Sequence, residues 1–350
     1  MIPILRRRAG LPRVRRLVSA GEPVTIVAFG TSMTLGGHYL DRLPGALRAK
    51  YANERITLIN RGRNGYSTLG AAFRVNDDVL PYAPDLVLIE FAHNDTTWDL
   101  VNFTARALEG MLAQIRRARP KCEFVFVYLA LPGAATYGPT PAIAAYEEVA
   151  ERHGISAIDV ATFAETLVAQ GAAVWEGAAN ALTVDGIHHA PVAAELIGGP
   201  FAEAFVQLLA GDGDAAPIPA VPAGALAPLT RVAAAACERA GNWAIRGPRA
   251  GEERGAGIDE EGFAEALEPG ATLRIAFTGT DAFAWASGSG VFGVRVAETD
   301  ERFRVGIEAP GKWNLRALIP PHPAARYSLD IIALNAGLVL GDLNFVGTPG

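Results

Sequence analysis

The chain has 350 residues, half of them hydrophobic, 19% charged, with a net charge of -6, enough to build one large or two ordinary domains with real cores. That charge balance gives no overall electrostatic reason to seek nucleic acid or anionic lipid, so neither a nucleic-acid partner nor stable membrane insertion is expected. Cys122 and Cys237 lie far apart, without the near neighbour that a metal knuckle or redox pair needs, and read as buried free thiols.

The N-terminus carries Arg6, Arg7, Arg8, Arg13, Arg15 and Arg16, with no apolar stretch of signal-peptide type before the first strand. The segment reads as the solvated face of a short leading helix, and the location as cytoplasmic, with a secreted or periplasmic location left open if a leader has been removed. Apolar runs then recur with helical stretches between them: Val24 to Phe29, Ile56 to Ile59, Leu86 to Phe91, Phe124 to Leu129 and Ile155 to Val160. Helices are predicted at Tyr39 to Ala52, Thr68 to Leu80, Thr104 to Arg119, Pro141 to His153 and Pro191 to Leu209. Alternating strand and helix is the pattern of a parallel sheet covered on both faces, so residues 1–210 are expected to form an α/β three-layer sandwich with a five-stranded parallel sheet.

Between Gly211 and Pro228 the composition turns to Gly, Ala and Pro, which marks a linker over 211–228. Beyond it the hydrophobic period becomes two, beginning with Leu273, Ile275 and Phe277. Further short runs lie at Phe283 to Ala286, Val291 to Val296, Phe303 to Ile307, Leu315 to Ile319, Ser328 to Leu334 and Leu338 to Val346. Residues 229–350 are therefore expected to be an antiparallel β-sandwich.

Chemistry concentrates in four places. Gly30-Thr31-Ser32 ends the first strand and sets a serine where a helix should begin, at the strand's carboxyl end, where open α/β sheets collect ligands. A serine hydroxyl needs a base, and the segment Val184 to His189 supplies His188 with Asp185 three residues before it, a spacing that lets the carboxylate fix the imidazole tautomer. His189 is the other candidate base, and the Asp185 spacing favours His188. Asn60 to Ser67 contains Gly65, which can bring a bare backbone N–H close to a ligand, and Ala92-His93-Asn94-Asp95 offers the Asn94 amide. With the Ser32 N–H, these are three oxyanion donors, each able to stabilise the transition state by roughly 3 kcal/mol.

These residues, in this order, resemble the four blocks of the SGNH (GDSL-type) hydrolases over about residues 20 to 210. GTSMT stands as the first block with Ser32, Asn64-Gly65 as the second, AHND as the third with Asn94, and DGIH as the last with Asp185 and His188. Three positions depart from the usual pattern: Thr31 replaces Asp, Ala92 replaces Gly, and His189 stands where a proline often follows. The resemblance implies a flavodoxin-like sheet and a cofactor-free serine esterase with Ser32, His188 and Asp185 catalytic and Ser32, Gly65 and Asn94 in the oxyanion hole. SGNH enzymes with an appended β-sandwich are similar to carbohydrate esterases, which implies a short acyl group, such as acetyl, on a sugar. Trp98, Tyr66 and His93 are the candidate substrate-binding residues, and a small-molecule or glycan ester is the expected partner.

Competing readings remain. Ser32, Gly65 and Asn94 could be a cap or turn residues only, and Asp95 reads as a loop tether. His93, Asp95, Asp185, His188 and His189 could form a metal set, although no ligand spacing of HExxH type supports one, so no metal is expected. A phosphate loop is disfavoured because FGTSMTLGG lacks the glycine spacing it needs. The same acyl-enzyme could transfer its group to a sugar hydroxyl, and a non-catalytic carbohydrate-binding protein is the remaining alternative. In the second domain Trp243, Trp285 and Trp313 are candidate stacking residues, with Trp285 read as core. His38, His153 and His322 read as surface residues.

Overall fold

A computed structural model describes residues 4–97, 101–129, 140–247, 262–288, 290–307 and 314–349. Clustering of Cα positions divides the chain into two compact units, Met1–Ala225 and Leu226–Gly350, a boundary inside the Pro- and Ala-rich stretch.

The first unit is built on a six-stranded sheet. Its strands are β1 (Leu5–Arg6), β2 (Val24–Gly30), β3 (Ile56–Gly62), β4 (Leu86–Glu90), β5 (Glu123–Tyr128) and β6 (Ser156–Asp159), in the spatial order β1-β6-β5-β4-β2-β3. β2 to β6 are parallel, as expected, and follow the flavodoxin-like order. β1 is an addition to the expected five, pairing antiparallel with β6 at the edge. It was hidden because two residues carry no periodicity and its Arg6 is charged. That arginine is fixed from the side, its Nε donating to Asp159 Oδ2 at 3.0 Å and its Nη1 to Glu147 Oε2 at 2.9 Å.

The basic N-terminus is thus tied down by acids rather than simply solvated. Helix α1 (Pro12–Ser19) carries Arg13 to Asp85 at 2.7 Å and Arg15 to Asp212 at 2.7 Å, while Glu123 caps its first N–H groups, those of Arg13 and Val14. The remaining helices are α2 (Ser32–Gly36), α3 (Leu43–Tyr51), α4 (Thr68–Ala72), α5 (Val75–Asp78), α6 (Ala92–Thr97), α7 (Val101–Ala118), α8 (Pro141–His153), α9 (Val160–Ala169) and α10 (Gly199–Ala210). β4 and the inner residues of β5 are buried throughout, consistent with a sheet covered on both faces, and each such aliphatic side chain contributes roughly 1.5–3 kcal/mol. His153, expected at the surface, is buried at the end of α8, with Nε2 2.7 Å from Glu109 Oε2. Among the described residues no helix is long and apolar enough to cross a membrane.

The second unit is antiparallel. Its strands are β7 (Leu229–Ala233), β8 (Glu238–Ala240), β9 (Trp243–Arg246), β10 (Phe263–Ala266), β11 (Thr272–Ser287), β12 (Gly290–Val296), β13 (Arg302–Ile307), β14 (Asn314–Ala317), β15 (Ala325–Ile332) and β16 (Val339–Pro349). The runs expected at Leu273 and at Phe283 are one long strand, β11, whose first half pairs with β15 and whose second half pairs with β14, while β16 lies along its other side. Phe277 stacks on Phe345 with centroids 5.2 Å apart and lies 5.6 Å from Tyr327, within a core that includes Leu273, Leu329 and Leu343. Trp285 is buried, Trp243 is half-buried with its ring N–H on the Ala240 carbonyl, and Trp313 lies outside the described residues. Both cysteines are free thiols, Cys122 buried and Cys237 partly so.

Candidate active site

β2 and β4 are neighbours at the reversal of strand order, where an α/β sheet opens a crevice beyond its carboxyl ends. The chain leaves β2 at Gly30 and enters α2 directly, so Ser32 occupies the first helical position, whose N–H has no acceptor within the helix. Thr31 is the N-cap, its side chain accepting from the Met33 N–H at 3.2 Å. Thr31 stands where the resemblance expects Asp, and its hydroxyl fills the capping role.

His188 and Asp185 come from the long connection between α9 and α10. His188 Nε2 lies 2.9 Å from Ser32 Oγ, and His188 Nδ1 lies 2.7 Å from Asp185 Oδ2. The other carboxylate oxygen accepts the backbone N–H groups of Ile187 at 3.0 Å and His188 at 2.7 Å. The hydrogen bond from the His188 ring, followed by these backbone bonds, holds Asp185 down at about 2. His189 stands apart from this chain. It is buried edge-on to Tyr39, with centroids 6.5 Å apart, and burial together with the neighbouring histidines lowers it to about 4.

The loop after β3 carries Gly65 at φ +67°, a left-handed conformation that favours glycine. It is fastened at two points. The Arg63 N–H donates to the Gly30 carbonyl at 3.0 Å, and the Arg63 side chain joins Arg61 and Arg74 on buried Asp78. Burial opposes ionisation of Asp78, but the Arg63 hydrogen bonds and the Arg74 charge outweigh it and hold the carboxylate at about 2. Asn94, in the first turn of α6, donates its amide to the Tyr66 carbonyl at 2.7 Å. That bond sets the amide's orientation and leaves its second hydrogen for another acceptor.

Tyr66 differs from its expected role on a substrate surface. Its ring is fully buried, and its backbone carbonyl is the group that engages the site. His93 is half-buried, and burial with the nearby His188 lowers it to about 4, which keeps the ring neutral at ordinary pH. Trp98 lies outside the described residues. Asp95 points away from the crevice, accepting from Thr68 N–H at 2.8 Å, Thr68 Oγ1 at 2.6 Å and Thr104 Oγ1 at 2.8 Å. Among the described residues no group of three or more His, Cys, Asp or Glu is arranged to hold a metal ion.

One residue went unnoticed in the sequence. Glu90 ends β4 and is 1% exposed, directly beneath the Ser32 turn. Its signal was a lone acid closing an apolar run, which is where a buried carboxylate must have a specific partner.

A serine turn leaving β2, one strand in from the edge of a flavodoxin-ordered sheet, stands next to a histidine–aspartate pair, an arrangement suited to acyl transfer. Residues 27–189 match the model of the GDSL-like Lipase/Acylhydrolase family, a match that supports a carboxylic ester hydrolase, and a separate C-terminal antiparallel unit follows. Among solved structures, the chain is similar to a two-domain esterase active on acetylated mannans, at TM-score 0.78 and 14% identity over 99% of this chain and 98% of that one. The same esterase co-crystallised with mannopentaose matches at TM-score 0.77 and 14% identity, covering 99% and 97% of the two chains. An acetylxylan esterase mutant from Geobacillus stearothermophilus matches at TM-score 0.43 and 16% identity over 54% of this chain and 95% of that one. No curated protein matches the sequence.

Proposed function

We propose that the protein is a serine esterase that removes short acyl groups, acetyl above all, from a carbohydrate. The observation that carries this reading is the hydrogen-bonded run from Asp185 through His188 to Ser32 Oγ, with the Gly65 loop and Asn94 beside it. His188 takes the proton from Ser32 Oγ as the oxygen attacks the ester carbonyl carbon, and Asp185 stabilises the imidazolium. The charge on the carbonyl oxygen is received by the N–H groups of Ser32 and Gly65 and by the free amide hydrogen of Asn94. His188 then protonates the departing sugar oxygen, leaving an acyl group on Ser32 that water removes with His188 again as base.

The acetylated-sugar substrate is supported by the whole-length likeness to an esterase active on acetylated mannans. Leu35, Val184 and Ile187, near the site residues in sequence, are exposed apolar side chains available to an acyl group or a sugar face. Ser32→Ala is expected to abolish hydrolysis of p-nitrophenyl acetate and labelling by a fluorophosphonate probe. Full activity in that variant would sink the reading. Across a panel of acetylated manno-oligosaccharides, short acyl esters and long acyl esters, kcat/KM is expected to be highest on the first and lowest on the last.

A further inference from the structure

Glu90 has a use that the serine mechanism does not assign. Its Oε2 accepts three hydrogen bonds, all from the nucleophile turn: Thr31 N–H at 3.0 Å, the Thr31 hydroxyl at 2.8 Å and the Thr34 hydroxyl at 2.8 Å. Thr34 Oγ1 in turn meets the Tyr39 hydroxyl at 2.9 Å, so one carboxyl holds the residues on both sides of Ser32 and is itself braced by a tyrosine. Gly30 makes room for this contact, since a Cβ there would lie 2.8 Å from Glu90 Oε2 and overlap Thr34 Oγ1. The other oxygen, Oε1, is buried without a hydrogen-bond partner. The three donors therefore all act on one oxygen, and through it on one turn.

We propose that Glu90 is a positioning residue for the nucleophile, locking the 31–34 turn so that Ser32 Oγ stays on His188 and the Ser32 N–H stays aimed at the oxyanion. The proposal rests on the serine-esterase reading and adds to it a residue that acts through Thr31 and Thr34 without touching a reacting atom. Displacements of about 1 Å at a reacting group can cost about a hundredfold in rate, which gives such a clamp its leverage. Burial raises Glu90 to about 7 against the opposing hydrogen bonds of Thr31 and Thr34. The titratable groups interacting with it are Asp95 from α6, Tyr146 from α8 and Tyr39 before α3. Above that pH the carboxylate makes charge-assisted bonds and grips the turn more strongly than its protonated form does.

Glu90→Gln keeps the shape and one acceptor oxygen, whereas Glu90→Ala removes both. On p-nitrophenyl acetate near pH 8, kcat is expected to fall about tenfold in the first and about a hundredfold in the second, with KM within about twofold and Ser32 labelling by fluorophosphonate slowed in parallel. The ratio of wild-type to Glu90→Gln kcat is expected to rise from near one at about pH 5.5 to about ten at about pH 8 as Glu90 ionises. The pH dependence common to both enzymes cancels in that ratio. A ratio flat at one, or a loss carried entirely by KM, overturns the proposal. If Glu90→Ala does not fold, Thr34→Val removes one donor in an equal volume and is expected to lower kcat about threefold to tenfold at unchanged KM. Wild-type kcat in that variant also overturns the proposal. Ser32→Ala is measured alongside: activity persisting there refutes the esterase reading, while an inactive Ser32→Ala beside fully active Glu90 variants refutes the clamp alone.

Discussion

Asp185 is half-exposed, as is its partner His188, so its orientation must come from somewhere other than burial. It comes from the loop itself, because the carboxylate that meets the His188 ring also accepts the N–H groups of residues 187 and 188. Asp185→Ala removes the anchor of that loop as well as the partner of the imidazole, and kcat/KM on p-nitrophenyl acetate is expected to fall by about 10³-fold. Losing a fully enclosed triad aspartate can cost about 10⁴-fold, and water compensates part of the loss at an exposed position. With Asp185 held at about 2, the carboxylate stays charged from about pH 4 upward, so changes in the wild-type rate above that pH arise from other groups. The Asp185–His188 pair was legible in sequence because it is local. Glu90 was not, since its partners are Thr31 and Thr34, 59 and 56 positions away. Tyr66 was misplaced for a similar reason: its neighbour Gly65 could be read, but the enclosure of its ring depends on elements distant in sequence.

At the scale of elements, the five parallel strands were legible because continuous apolar runs report two-sided burial. The start of helix α2 at Ser32 was legible from the strand end before it, but not its length, because five residues are too few to show a helical period. The expected helix over Thr68 to Leu80 is broken into α4 and α5, and its first turn depends on a contact that no periodicity reveals. Asp95 ties the start of α4 to α6 and α7 through Thr68 and Thr104. Asp95→Ala removes the acceptor of the buried Thr68 N–H and one partner from each of two hydroxyls, that of Thr68 keeping the Tyr146 hydroxyl at 2.8 Å, and urea unfolding at pH 5 is expected to show a loss of about 2–4 kcal/mol, given about 1–3 kcal/mol for a buried group deprived of its partner. The pH matters because burial raises Asp95 to about 6 and Glu90 to about 7, both above their ordinary values. Between those ordinary values and the raised ones these two carboxyls hold more protons in the folded chain than in the unfolded one and so lower stability as pH rises, while His93 and His189, lowered to about 4, act in the opposite direction over the same interval. The histidines are common to wild type and Glu90→Gln, so the wild-type urea midpoint is expected to fall relative to that of Glu90→Gln as pH rises from about 4 to about 7. A difference between the two midpoints that stays constant with pH would show that Glu90 ionises alike in the folded and unfolded chains.

The change of hydrophobic period near Leu273 was enough to announce a second unit of different architecture, but not all of its strands. β7 to β10 lie before that change, in short segments that acquire meaning only through pairing, β7 and β10 with β16, β8 with β11 and β9 with β10. On the scale of the whole chain, no strand pairing among the described residues joins the two sheets. Ser32, Gly65, Asn94, Asp185 and His188 all fall before residue 226, and so do Glu90, Asp78 and Asp95 with their partners. The residues proposed to carry the chemistry thus all belong to the first unit. A chain ending at Ala225 is therefore expected to hydrolyse p-nitrophenyl acetate with kcat within about threefold of the full chain, since that small ester needs no extended surface to bind. On an acetylated glycan the same truncation is expected to raise KM by about tenfold or more while leaving kcat close to its full-chain value, the pattern of lost uniform binding. The two substrates must be compared in one preparation, because a fall of kcat on both would mean that the second unit helps to hold the Ser32 site itself, whereas a fall confined to glycan affinity assigns it to substrate capture.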